Sequence, residues 1–261
     1  MKIIKGIIIA FSIYSRIPMP HFRWEEEDMK YNLCFLPLVG VVTGLLVCLG
    51  ICVSGLLDLP SITKICITSA VPLLVTGGFH VDGFMDVKDA LSSYKPKDEK
   101  LAILKDPHIG AFAVIGLALY GLLWVGALAV IFDKATGDTS IALILVFVLS
   151  RILTSISSVT LKKAKKTGML ADETGRTGRG ELLIMSSELI TVFVILAVSD
   201  LFVAGIFAVV LTVFFLYYRF MVYRQFGGVT GDTAGYFVCV SELLMIVALA
   251  VCCVFRSMCA L

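Results

Sequence analysis

The sequence predicts an all-α integral membrane protein of about seven transmembrane helices, preceded by one short interfacial helix. Two observations carry this. Apolar residues fill 59% of the 261 positions and charged residues 16%, with a mean hydropathy of +0.97, more apolar surface than a globular core can hide. That apolar content is gathered into seven runs, roughly 33–57, 62–79, 110–132, 139–161, 182–199, 201–218 and 236–255. A helix needs about 17–25 such residues to cross a hydrocarbon core, and tilt or local thinning accommodates the shortest. With no repeat period and no low-complexity stretch, residues 1–261 read as a single polytopic membrane domain.

Taken in order, the chain opens with Lys2 and Lys5 ahead of an apolar run from Gly6 to Tyr14. The run is too short to span, and Arg16, Pro18 and Pro20 stand where a signal peptide would carry small residues. It is expected to be a helix lying on the inner membrane face. The connectors between the seven runs then alternate between long and short. Eighteen of the 22 basic residues fall in the N-terminal segment and in the connectors after the second, fourth and sixth runs; Lys64, Lys134 and Arg256 lie on the other side, and Arg151 lies inside a run. By the positive-inside rule the N-terminus is cytoplasmic, in a cell (inner) membrane, and the C-terminus is outside. Every long polar connector, and hence the chemistry, is then expected on the cytoplasmic side. The eight cysteines fall mostly within apolar runs without a paired CxxC pattern, so they read as small apolar filler. Basic residues are spread over several loops, which argues against nucleic acid; the expected partner is the lipid bilayer, and a homo-oligomer stays open.

One stretch concentrates chemistry: TGGFHVDGFMDVKDA, residues 76–90. On a helix Asp82, Asp86 and Asp89 are spaced by four and three residues and share a face. Three like charges on one face repel unless a cation holds them, and a hard ion such as Mg²⁺, used to grip phosphates, suits that arrangement. The competing reading is a solvated acidic helix end. His80 and Gly77, Gly78 and Gly83 beside them let backbone approach a ligand or another helix.

Three further segments at the same expected face have related character. In LKDPHIG, Lys105 supplies positive charge, and Asp106 is either a ligand or a helix cap. The loop KKAKKTGMLADETGRTGRG is basic and flexible. Its Lys162, Lys163, Lys165 and Lys166 read as lipid-headgroup anchors, whereas Arg176 and Arg179, set among glycines, read as phosphate contacts. Before the last run, GGVTGDTAG offers Gly227, Gly228, Thr230 and Gly231 ahead of a helix N-terminus, an anion site to which Asp232 adds a metal ligand. Within the fourth run Arg151 is either a phosphate contact or the partner of Glu188 or Glu242. Three scattered histidines do not make a zinc site, and no GxSxG, HExxH or P-loop lysine is present.

GGFHVDGFMDVKDA resembles the GGxHxDGxxDxxDG segment of the cobalamin synthase family, the adenosylcobinamide-GDP ribazoletransferases. LKDPHIG is similar to that family's (M/L)(K/R)DxxxG, GGVTGDTAG to its GGxTGDTxG, and SRIPMP and FPLVG to its (T/S)RxPxP and FPLxG pieces, all in the same order. Ala90 and Ala234 depart from the pattern, and the basic loop matches poorly. The resemblance implies a Mg²⁺-dependent membrane transferase that joins adenosylcobinamide-GDP to α-ribazole, or its 5′-phosphate, with release of GMP. It implies that Asp82, Asp86 and Asp232 hold the ion, that Asp89 is a further ligand or the base, and that Lys105 and Arg151 grip phosphate. A CDP-alcohol phosphotransferase is the runner-up, although Asp82-Gly83 is not followed by that family's Ala-Arg; a transporter or membrane scaffold is the reading from another class.

Overall fold

A computed structural model describes residues 2–24, 26–165, 169–175 and 177–259. Among the described residues there are eleven α-helices and no strand: α1 Lys2–Tyr14, α2 Asn32–Leu56, α3 Ser61–Thr76, α4 Phe79–Ser92, α5 Lys97–Ile103, α6 Ala111–Lys134, α7 Ser140–Thr160, α8 Met169–Thr174, α9 Arg179–Ser199, α10 Leu201–Gln225 and α11 Gly231–Cys259. A 3₁₀ turn, Glu26–Tyr31, leads into α2.

Six of these helices are long and apolar enough to cross a membrane. The expected second span is different. At 16 residues α3 covers about 24 Å, and the chain then bends by 93° into α4. The bend is made by Gly77 and Gly78, both left-handed at φ +62° and +79°, a conformation open to glycine at little cost. Their consequence is functional: the aspartate helix leaves the line of the span and lies across the end of the bundle. The predicted N-terminal helix is present as α1, and it packs onto the bundle through Ile9, Phe11 and Tyr14.

Two helices form the centre. α7 packs against α2, α9 and α11, while α11 packs against α4, α6, α7 and α10. In a bilayer, apolar side chains gain nothing by leaving lipid, so such contacts rely on close backbone approach and on buried polar pairs. Both devices are used. Gly40 and Gly44 of α2 lie on α7: a Cβ at Gly40 would run into the Phe147 carbonyl, and one at Gly44 would stand 2.6 Å from Ile144 Cα. Arg151 of α7 and Glu242 of α11 make a buried ion pair at the centre. Large apolar side chains on the outer helices, such as Leu122, Leu183 and Val198, point outward, as lipid-facing surface requires.

Helix ends and breaks have local causes. Pro37 in α2 has no N–H to give to the Leu33 carbonyl, and Ser155 Oγ of α7 donates to that carbonyl instead at 2.9 Å. At the opposite end of the bundle Asp200 joins α9 to α10, accepts from Val203 N at 3.0 Å, and takes both Arg256 Nη groups at 2.6 and 2.7 Å. A bulkier residue at the α2–α7 contact cannot be absorbed. Gly44→Leu is expected to cost about 1–3 kcal/mol, seen as a lower unfolding temperature in detergent, while Gly205→Ala, which faces open space, leaves it unchanged.

Candidate active site

The site is assembled where α4 crosses the start of α11. A Cβ on Gly83 would stand 2.8 Å from the Asp232 carbonyl, and one on Gly235 would stand 2.9 Å from the His80 carbonyl, so the two backbones touch. Asp82, in the first turn of α4, and Asp232, in the first turn of α11, thereby line one cavity although 150 residues separate them in sequence. Both carboxylates sit at helix N-termini, where the exposed amides favour negative charge. The cavity holds about 490 Å³ and is also lined by Lys105, Lys163, Lys165, Thr230 and Gly231.

Asp86 sits one turn further along α4, half-buried. Burial pushes its carboxyl up to about 6, and the charges of Asp82, Asp232 and Asp89 add to the rise. Asp82 and Asp86 therefore share an acidic face that Asp232 extends onto a second helix, while Asp89, expected with them, is directed elsewhere. Its counter-charge comes from the loop after α7. Val229 N donates to the Lys162 carbonyl at 2.8 Å and Ala164 N to the Val229 carbonyl at 3.0 Å, which ties residues 162–164 to the start of α11. Gly228 permits this approach, since any Cβ there would strike the Lys162 carbonyl. Burial lowers the Lys163 ammonium below the usual lysine range. Burial also lowers Lys165, with Lys105 adding to the drop and Asp232 opposing it.

Several expected residues have other placements. Lys163 and Lys165 line the cavity rather than the outer surface, which corrects their reading as headgroup anchors; the backbone pairing with Val229 turns the loop inward. Gly227, left-handed at φ +80°, and Gly228 serve that pairing and do not line the cavity, whereas Thr230 and Gly231 do. Thr230 also starts α11, its N–H and Oγ1 exchanging hydrogen bonds with Thr233. Asp89 is turned to the start of α6, where its carboxylate fills the space a Cβ on Gly110 would need; α6 has no acidic residue in its own first turn, so Asp89 supplies that charge. Asp106 is exposed and holds its own turn, accepting from His108 N at 3.0 Å and meeting His108 Nδ1 at 2.6 Å. Arg151 is deep between α7 and α11, with Nη1 donating to Glu242, to the Phe147 carbonyl and to Ser150 Oγ, so it is a structural partner rather than a contact in the carboxylate cavity. His80 is buried beside Tyr14, ring centroids 6.2 Å apart. Arg176 lies outside the described residues, and Arg179 is exposed at the start of α9.

Sequence reasoning gave no role to Arg16. Its N–H donates to the Val75 carbonyl at 2.7 Å and its guanidinium covers Gly77, so the segment after α1 is docked on the helix break. Together with Asp82 it lines a wider cavity of about 770 Å³. The signal in the sequence was SRIPMP, singled out only as a matching piece, and nothing local says which neighbour its arginine meets.

Among the described residues, no group of three or more His, Cys, Asp or Glu side chains is gathered to hold a metal ion without help. The donor set still fits Mg²⁺ shared with phosphate, because that ion is usually held by one or two carboxylates together with substrate oxygens and water. Carboxylates and ammonium groups facing one another across a cavity suit a doubly anionic diphosphate.

The fold and site define a multi-pass, all-helical membrane protein with an acidic-and-basic cavity at one end of its bundle. Residues 6–250 match the family model described as cobalamin-5-phosphate synthase. The chain is 39% identical over 247 residues to an adenosylcobinamide-GDP ribazoletransferase of Lachnoclostridium phytofermentans, covering 94% of this chain and 92% of the relative. It is 32% identical over 244 residues to the protein of that name from Geotalea daltonii, covering 92% and 94%, and 31% identical over 258 residues to that from Clostridium perfringens (strain ATCC 13124), covering 96% and 100%. No solved structure matches the chain. The chain belongs to the cobalamin-5-phosphate synthase family and is a transferase of cobalamin biosynthesis. That membership sets aside the CDP-alcohol phosphotransferase and transporter readings.

The buried pair yields a direct check on the role of Arg151. Arg151→Met leaves Glu242 unpaired in the core and is expected to cost about 3–5 kcal/mol of stability in detergent, whereas Arg151→Met combined with Glu242→Leu recovers most of it.

Proposed function

We propose that this chain transfers the cobinamide-phosphoryl group of adenosylcobinamide-GDP to a ribose hydroxyl of α-ribazole or its 5′-phosphate, giving adenosylcobalamin or its phosphate and GMP. The observation that carries this is the meeting of Asp82 and Asp232 with Lys105, Lys163 and Lys165 around one cavity, in a chain whose relatives bear the ribazoletransferase name. The hydroxyl oxygen forms a bond to the phosphorus nearer the corrinoid, the bond from that phosphorus to the bridging oxygen breaks, and GMP leaves with the bridging oxygen.

In this reading Asp82 and Asp232 would hold Mg²⁺, and Asp86 stands near them on α4 without being a ligand. When bound, the ion supplies charge neutralisation and Lewis-acid polarisation at the diphosphate. Lys105, Lys163 and Lys165 bind the remaining phosphate oxygens and offset the charge that grows on the departing GMP. Asp86, whose proton affinity is raised toward neutrality, takes the proton of the attacking hydroxyl. Asp89 acts at one remove, by holding the start of α6 against α4. The charged end of the bundle faces the cytoplasm, in accord with the bias of basic residues, and the lipid-facing helices seat the enzyme in the cell membrane.

Three outcomes follow for purified protein in detergent with adenosylcobinamide-GDP and α-ribazole. Asp82→Asn is expected to lower GMP release by about 10³-fold or more while the protein still inserts in the membrane; near wild-type turnover rejects the assignment. The rate is expected to fall as pH drops through about 6, because the ionised form of Asp86 is the working one and its folded value is raised. Asp86→Asn, which has no such carboxylate, loses activity and shows no limb at that pH.

A further inference from the structure

Asp82 faces two spaces. The wider cavity, of about 770 Å³, and the one that holds the lysines share Phe79 and Asp82 and no other lining residue, so they lie on two sides of the first turn of α4. Much of the wider cavity is walled by the segment after α1, and that segment is fixed. Ser15 Oγ donates to the Phe11 carbonyl at 2.7 Å and accepts from Ile17 N at 3.2 Å, while Arg16 N donates to the Val75 carbonyl at 2.7 Å. The stem of Arg16 lies over Gly77, where any Cβ would collide with its Nε and Cγ. Arg16 is exposed, and among the described residues no hydrogen bond or ion pair takes up its guanidinium. The other titratable side chains on these walls are Asp82 and His21.

We infer that Arg16 binds a substrate phosphate beside Asp82, an inference that rests on the transfer reaction proposed above and adds a phosphate contact to it. An arginine whose stem is packed and whose fork is unspent is set to take two oxygens of one anion through parallel N–H bonds. Displacement at phosphorus runs in line, with the attacking and leaving oxygens on opposite sides and negative charge spread between them. Lys105, Lys163 and Lys165 line only one of the two spaces beside Asp82, and Arg16 is the arginine that lines the other. The contrast with Arg151 is direct, since that guanidinium is closed on Glu242 and this one is open. Two phosphates of the reaction have the chemistry Arg16 recognises: the diphosphate of the donor and the 5′-phosphate of a phosphorylated acceptor. A lipid headgroup carries the same group, so the test is run without phospholipid and only the substrates supply it.

Arg16→Met keeps an unbranched stem over Gly77 and removes the charge, which separates phosphate binding from support of the helix break. The full chain, purified in detergent without phospholipid, is assayed for kcat and for the KM of adenosylcobinamide-GDP, α-ribazole and α-ribazole 5′-phosphate. Arg16→Met is expected to raise the KM of a phosphate-bearing substrate by about 10-fold or more, with the unfolding temperature unchanged and part of the loss recovered in Arg16→Lys. A rise for the donor, whichever acceptor is used, assigns Arg16 to the diphosphate. A rise for α-ribazole 5′-phosphate with free α-ribazole unaffected assigns it to the acceptor. If Arg16→Met fails to insert, Arg16→Gln carries the same expectation. Unchanged KM values for all three substrates overturn the inference and leave the transfer reaction standing, as does an equal rise for all three. Absence of GMP release by the wild-type protein with donor and either acceptor overturns the reaction and this inference together.

Discussion

The structure depends on one contact, the crossing of α4 over the beginning of α11 at Gly83 and Gly235. There the helices meet backbone to backbone, with the Asp232 and His80 carbonyls standing where side chains would otherwise be. Acidic helix ends held this close repel, and Asp86 registers it: burial and the neighbouring carboxylates hold its proton affinity far above that of a free aspartate. The protein keeps the contact because the helices on either side are fixed by the rest of the bundle. Moving α4 away would mean undoing the double-glycine bend after α3 and the Arg16 clasp over it.

Charge is handled in two ways at two depths. At the centre, Arg151 Nη1 closes on Glu242 and is joined by Ser150 and the Phe147 carbonyl, pairing being the rule for an ionised group inside a membrane. Around the cavity at the end of the bundle, Asp82 and Asp232 face Lys105, Lys163 and Lys165 without closing into ion pairs, across a space wide enough for a diphosphate. A pair that is closed serves the fold. Charges held apart by the backbone are available to a ligand, and the pairing of residues 162–164 with Val229 keeps Lys163 and Lys165 in that condition.

Much of the fold was legible because membrane helices announce themselves by length and apolar content. The runs 139–161 and 110–132 agree with α7 and α6 to within two residues. The second span departed from expectation for a local reason: the run 62–79 included Gly77 and Gly78, and hydropathy does not register that two left-handed glycines turn the chain. At the site, the spacing of Asp82 and Asp86 placed them correctly on one face. Lys163 and Lys165 were misjudged because lysines at the end of a span have the same composition whether they face lipid headgroups or fold back over a cavity; the one local clue was Gly228, whose missing side chain makes the fold-back fit.

By itself the sequence determined the class of fold, the approximate limits of six of the spans, the concentration of charge at one end, and the family. Those properties follow from counting residues along the chain, because a bilayer imposes length and polarity on every segment independently. Which carboxylates share a cavity and which arginine is spent on an ion pair were decided only by tertiary structure. They depend on contacts between helices distant in the chain, set by a few glycines whose effect exists only once another backbone lies against them.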